Sequence, residues 1–485
     1  MRELAFRGRA LPNASCDFEE RRCPASKFQA RTKSNIVSVV FMKLTTHMPR
    51  QSAGRLQRHL GLGGAIMMGL GSMVGTGVFV SIGIAAGVAG PPVILAIVIA
   101  ACVATCNALS SAQLAASHAV SGGTYEYGYR YLGPSLGFTA GWMFLCAKTA
   151  SAATAALGFS AYLLRLVSGD LRLMPLLAIG AVVLFTLLVL GGIRRSSWMN
   201  TAIVSVTLLA LASFIVLGLP GAAVDGGSNL VPLLPSNDTG STHSFLYATA
   251  LMFVAYTGYG RIATLGEEVI EPERTIPRAI IVTLGLTAAL YISVSIVAIG
   301  SVGAERFAAA AGGQATPLEL AARAFEGPRL ATLVSIGAVT AMLGVLLNLI
   351  LGLSRVVLAM GRQGDLPPLF ARLSEQGMAP RAAVIAVGLA IAALASIGSV
   401  ETTWAFSAFT VLIYYAITNL AALRLPREQR LYPTWVAVAG LAACLFLAFW
   451  VPLTIWVIGL GLILLGLAWK AFAPRLWTNT GRRMP

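Results

Sequence analysis

Long apolar runs follow one another from about Leu62 to Phe472, separated by short joints of glycine, proline and charged residues. A membrane-crossing helix needs about 20 predominantly apolar residues. Twelve runs approach or exceed that length, at about 62–87, 92–117, 136–163, 173–191, 198–219, 244–269, 278–302, 330–359, 381–399, 402–423, 433–451 and 453–472. Only 11% of the residues are charged and 57% are hydrophobic, whereas soluble domains carry about 25% charged residues. This pattern predicts an all-α integral membrane protein with twelve transmembrane helices in a lipid bilayer, not a soluble domain with an anchor.

The net charge of +16 raises the question of nucleic acid. That partner requires Lys and Arg gathered on a soluble face with stacking aromatics, and the sequence offers no such face. The basic residues instead crowd the first 60 positions and alternate joints. Counting Arg261, Arg278 and Arg381, which lie within the adjoining runs, twelve arginines belong to the even-numbered joints and five to the odd-numbered ones, so the positive-inside rule places both termini in the cytoplasm of a cell membrane. Residues 1–60 read as a disordered cytoplasmic tail. Their one short apolar run, Ile36 to Met42, is too brief for a signal-peptide core, and Met42 or Met48 is an alternative start.

Enzymatic and channel functions find little support. Cys16, Cys23, Cys102, Cys106, Cys146 and Cys444 are scattered, and the four histidines are isolated from one another. No disulfide framework, metal site or cofactor is implied. A channel would show pore-lining charges or a carbonyl-ring filter, and neither is visible.

Two runs carry interruptions. The first contains Gly69, Gly71, Gly75 and Gly77 with Ser72 and Thr76 between them, and glycines this dense lower the cost of leaving helical geometry. Backbone groups freed at mid-membrane depth are tolerated only where protein or a water-filled cavity satisfies them. The alternative is close helix packing through Gly71 and Gly75. The sixth run has a comparable stretch from Phe253 to Arg261. Interruptions five runs apart predict a five-plus-five inverted repeat with broken helices 1 and 6, plus two C-terminal helices. The repeats would span 61–219 and 244–424 around an extracellular loop at 220–243, with the last two helices at 425–473 and a cytoplasmic tail at 474–485. A half-helix beginning near Gly77 turns its positive end toward the cavity and suits a carboxylate, while carbonyls freed at 256–260 suit an ammonium. Together these describe an α-amino acid.

Four stretches resemble the amino acid/polyamine/organocation superfamily, and its bacterial amino acid permeases in particular. They are Gly71–Phe79; Ser121–Tyr125; the sixth-run break followed by Glu267, Glu268, Pro272 and Arg274–Ile280; and Arg355 with Ala359–Arg362 and Gly364–Pro367. The resemblance runs from about Gly63 to Arg430. It implies alternating-access transport, with Ser72, Gly75, Thr76 and Gly77 offering donors to the substrate carboxylate. Phe253, Ala255, Tyr256 and Gly258 would offer carbonyls to the amino group or close over it. Tyr256 or Tyr259 would gate the pocket by rotating, or serve as core aromatics. Many relatives carry an acidic residue where this chain has Gly260, and the lysine that proton-coupled relatives often carry in the fifth span falls here at about Thr207.

Ionisable residues within spans are functional candidates by default. Lys148, the one lysine between Lys43 and Lys470, lies about half a span deep. It reads as a proton carrier in coupling, as part of the binding site, or as a cation held by carbonyls beside a broken helix. Arg261 faces the cavity or its vestibule. Glu267 and Glu268 form a cytoplasmic gate or pair with Arg274 and Arg278. With no carboxylate expected at mid-depth, a second ammonium would lack a counter-charge, which favours a neutral amino acid with the proton as coupling ion. Sodium symport, exchange with an amino acid or polyamine, and a non-transporting sensor are the alternatives.

Overall fold

The computed structural model describes residues 60–480 apart from 119–121, 192–196, 237, 265–268, 315 and 373–379. These residues form helices joined by short turns, with one isolated bridge between Leu60 and Val269. Among the described residues, eight helices are long and apolar enough to cross a membrane, and Arg381–Ala395 and Thr434–Ala448 are shorter apolar helices.

The first span is divided into α1 (Leu62–Met73), a π turn at Gly77–Ser81 and α2 (Ile82–Ala89). It is followed by α3 (Val93–Ser117), the short α4 (Thr124–Tyr131), α5 (Pro134–Leu166), α6 (Met174–Leu190) and α7 (Ser197–Asn229). The next group is α8 (Thr239–Tyr256), a 3-10 turn at Thr257–Tyr259, α9 (Gly260–Ala263), α10 (Pro272–Val302), α11 (Ala304–Gln314), α12 (Pro317–Glu326) and α13 (Pro328–Arg362). The chain ends with α14 (Arg381–Ala395), α15 (Val400–Leu423), α16 (Thr434–Ala448) and α17 (Leu453–Thr480). The end of the bundle that holds Leu62, α4 and Pro134 is called the lower end below.

Local chemistry sets many of these boundaries. Proline opens α5, α10, α12 and α13, where its missing N–H has no intrahelical partner to lose. Gly303, at φ 79, closes α10 in a left-handed conformation that glycine adopts without a Cβ clash. Ser399 caps α15 by accepting from the Thr402 amide at 3.1 Å.

Burial separates an inner set of helices from a periphery. The most apolar stretches of Leu62–Ala89 and Val400–Leu423 are each 78% buried, against 22% for Leu171–Leu190 and 11% for Leu453–Phe472. Helix α5 packs against both α13 and α15. Its buried positions include Lys148, Ser151, Thr154 and Ser160, a polar set that suits a helix lining the interior and not the lipid.

Three boundaries differ from the sequence-based expectation. The run expected to end at 219 continues through Pro220 to Asn229, so the segment 220–243 begins as helix and not as loop. A proline costs an interior helix one hydrogen bond and a clash with the preceding turn, and here it stands in the last third of a long helix. The segment from 474, expected as a tail, continues α17 to Thr480. The sixth run is not unwound over 256–260 but is tightened there into a single 3-10 turn.

Candidate substrate site

At the first break, α1 stops at Met73 and Val74 leaves helical geometry with φ −81 and ψ 87. The chain re-enters helical geometry at Thr76 and winds through the π turn that begins at Gly77. The break is held by short-range bonds, Val74 N to Leu70 O at 2.7 Å and Phe79 N to Gly75 O at 3.1 Å. The first amides of a helix have no intrahelical partner and carry the positive end of its dipole, and Thr76 and Gly77 stand at that end of the second half-helix.

The end of α1 and the 3-10 turn after α8 meet at backbone distance. A Cβ placed on Gly258 would fall onto the Ser72 carbonyl oxygen and lie 2.6 Å from the Ser72 carbonyl carbon. One placed on Gly77 would strike the Tyr291 hydroxyl and approach Ala255 Cβ to 2.9 Å. Only glycine permits both approaches. Tyr291, on α10, joins the two breaks directly: its hydroxyl lies 2.7 Å from Met73 O and 3.2 Å from Ala255 O. One hydroxyl proton therefore serves two carbonyls that face each other across the site.

Lys148 reaches the same place from α5. It is 8% exposed, and its Nζ donates to Thr257 Oγ1 at 2.8 Å. The Thr257 hydroxyl donates in turn to Val254 O at 2.7 Å, and the Tyr415 hydroxyl donates to Thr257 O at 3.2 Å. The 3-10 turn is thus pinned by α5 on one side and α15 on the other.

These groups border a cavity of about 100 Å³. Ser72, Thr76 and Gly77 line it from the first break, Ala255, Thr257 and Gly258 from the second, and Lys148 and Ser151 from α5. Asn348 and Arg355 enter from α13, and Trp404 from α15. The lining extends toward the lower end through Gly122, Gly260, Arg261 and Thr264. Above it, Phe79, Phe253, Tyr256 and Tyr291 are fully buried. Lys148, Arg261 and Arg355 are its charged lining residues, and no Asp or Glu is among the described ones.

Of the residues singled out from the sequence, the cavity brings together Ser72, Thr76, Gly77, Ala255, Gly258, Lys148 and Arg261. The Ser72 hydroxyl already donates to Met68 O at 2.9 Å and receives Asn348 Nδ2 at 3.4 Å, so its proton is committed to its own helix. Four others pack behind the lining. Gly75 faces Val345, whose Cγ2 would be 2.6 Å from an added Cβ. The Phe253 and Tyr259 rings lie 5.7 and 5.4 Å from Tyr415, and the Tyr256 hydroxyl reaches Ile97 O at 3.3 Å. Glu267 and Glu268 lie outside the described residues. Sequence reasoning missed Tyr291, because a tyrosine inside an apolar run carries no signal of which way it faces, and gave Thr257 only a freed carbonyl, not the hydroxyl that receives Lys148.

Tyr291→Phe is expected to leave both carbonyls without their shared donor, at a cost of roughly 1–3 kcal/mol for a buried unsatisfied group. Thermal melting of the purified variant should show the loss, and an unchanged transition would remove Tyr291 from the frame of the site.

A bundle of helices long and apolar enough to cross a membrane, with two interrupted helices meeting at an interior cavity, fits the class of membrane carriers. The sequence matches the amino acid permease family model over residues 64–480, and the chain belongs to that family. It is therefore a multi-pass membrane protein of amino acid transport and not an enzyme. An uncharacterized transporter of Mycobacterium tuberculosis is 40% identical over 427 residues, covering 88% of this chain and 93% of that one. The branched-chain amino acid permease BcaP of Bacillus subtilis is 28% identical over 418 residues, covering 81% of this chain and 88% of the permease. Among solved structures, MhsT in complex with L-phenylalanine shares the fold with a TM-score of 0.62 at 16% identity, covering 84% of this chain and all of that one.

Proposed function

We propose that this chain takes up a neutral amino acid by alternating access, coupled to the inward movement of a proton, across a cell membrane with both its termini in the cytoplasm. The working unit is a five-plus-five inverted repeat of a twelve-helix bundle. The observation that carries the reading is the meeting of two helix breaks over a cavity whose one buried lysine, Lys148, bonds to a hydroxyl and not to a carboxylate.

In this reading the substrate carboxylate sits on the amides of Thr76 and Gly77, at the positive end of the second half-helix. The ammonium takes the carbonyls of Met73 and Ala255, where the Tyr291 hydroxyl now stands. The cavity lining that runs down to Arg261 and Thr264, under a seal of buried aromatics, suits a state facing the cytoplasm. A side-chain ammonium on the substrate would lie beside Lys148 with no carboxylate among the described lining residues to offset it, which disfavours cationic substrates.

Lys148 carries the coupling proton. A desolvated ammonium is costly, and it becomes less so when a partner arrives and more so when the partner leaves. Uptake of a labelled amino-acid mixture into proteoliposomes, with an imposed inward proton gradient and no sodium, should show accumulation. Accumulation that requires sodium or an internal amino acid would overturn the proton assignment. Lys148→Met is expected to flatten the pH profile of uptake, and a profile identical to the parent's would remove Lys148 from coupling.

A further inference from the structure

The hydrogen bonds around Lys148 leave its ammonium short of acceptors. The Thr257 hydroxyl spends its single proton on Val254 O at 2.7 Å. Toward Lys148 Nζ, 2.8 Å away, it can therefore only accept. An ammonium has three N–H donors, and this one bond uses one of them. Lys148 is 8% exposed and takes part in no ion pair among the described residues. A buried ammonium held by one neutral hydroxyl is under-satisfied, and the side that remains is the cavity.

The two ends of an α-amino acid do not meet that need in the arrangement proposed above. Its carboxylate belongs at Thr76 and Gly77 and its ammonium at the Met73 and Ala255 carbonyls. The substrate's side chain is the part left to face Lys148. Arg261 and Arg355 have partners of their own, which leaves Lys148 as the cation in need of an acceptor.

We infer that Lys148 is a specificity-determining residue, selecting amino acids whose side chain ends in a carbonyl-type oxygen, a carboxamide or a carboxylate. The inference rests on the amino-acid reading of the site and narrows its side-chain chemistry; a carboxylate preference would replace the neutral substrate of that reading with an acidic one. A lysine or arginine side chain places a cation against a cation. A leucine side chain fills the space but leaves the N–H donors without an acceptor, and sites built to hydrogen-bond a substrate reject analogues that lack the group. Asparagine and glutamine supply the oxygen without net charge, while aspartate and glutamate supply it with one.

The test is competition binding to the full-length protein in nanodiscs, with glutamine, glutamate, leucine and lysine as probes. Glutamine or glutamate should bind roughly tenfold to a hundredfold more tightly than leucine, the range of one hydrogen bond to a charged group. Glutamine ahead of glutamate identifies the carboxamide as the preferred source of the oxygen, and the reverse order identifies the carboxylate. Lys148→Met should bring the ratio to leucine down to about one or below it. Thr257→Val, which frees Nζ to wander while keeping the ammonium, should reduce the ratio part of the way and guards against a Lys148 variant that fails to fold. Leucine preferred by the parent, or a ratio that neither substitution moves, overturns the inference while leaving amino-acid binding intact. Binding of none of the four probes overturns the amino-acid reading itself, and the inference with it.

Discussion

Gly258→Ala is expected to abolish measurable substrate binding and to lower the melting temperature, although it adds one methyl group. The new Cβ would lie against the Ser72 carbonyl, 2.6 Å from its carbon, with Met73 Cγ at 2.7 Å. Backbone has no rotamer to change, so the 3-10 turn and the end of α1 must move apart. Overpacking of a fitted interior costs about 1–3 kcal/mol. The functional loss should exceed that, because Met73 and Ala255 present their carbonyls to one point through this contact, and misplacing reacting or binding groups by about 1 Å can cost a hundredfold. Equilibrium binding together with a melting curve checks both parts. Gly285→Ala is the control, since nothing lies within 4 Å of a Cβ there. Parent-like binding by Gly258→Ala would mean that the two breaks are not mutually positioned as described.

The same glycine shows how far the sequence could be read. Glycine density around Gly71–Gly77 located the first break correctly, because a run that cannot sustain helix at low cost is visible in one dimension. The structure puts the departure at Val74. Gly258 was legible as part of an interruption, but its use as a point of backbone contact was not, since the partner is 186 residues away in the chain (258 minus 72). Lys148 stood out as a lone cation in apolar surroundings, and it lines the cavity. Tyr291 did not stand out. It sits on a helix that reads as an ordinary span, and only the approach of α10 to both breaks gives its hydroxyl two carbonyls to serve. Aromatic residues near a break are equally ambiguous: from sequence Tyr256 and Tyr259 read as gates or as core aromatics, and both are fully buried behind the lining.

A second large effect is expected far from the cavity, at Asp365. This carboxylate is 7% exposed and lies between α13 and the following turn at Pro368–Ala371. Its Oδ2 accepts from the Tyr125 hydroxyl at 2.8 Å and the Tyr129 hydroxyl at 2.5 Å, and its Oδ1 from Lys470 Nζ at 3.3 Å. Burial, together with the Asp365 charge, holds both tyrosines far above the usual phenol range, so they are donors at any pH of interest. Lys470 also donates to Pro134 O at 2.5 Å and lies 4.7 Å from the Tyr129 ring centre. One carboxylate therefore ties α4, the start of α5 and α17 to the end of α13. Asp365→Ala should destabilise the protein by about 1–3 kcal/mol, the range for leaving two tyrosine donors and a half-buried ammonium without their acceptor. Much of that is the penalty of stranding Lys470, so adding Lys470→Met to Asp365→Ala should recover part of it. A double variant that melts no higher than Asp365→Ala would show that the tyrosine hydrogen bonds, and not the ion pair, hold the lower end together. The peripheral α17 would then be a passenger there, and the two donors from α4 alone would fix the loop from which α13 carries Arg355 into the cavity.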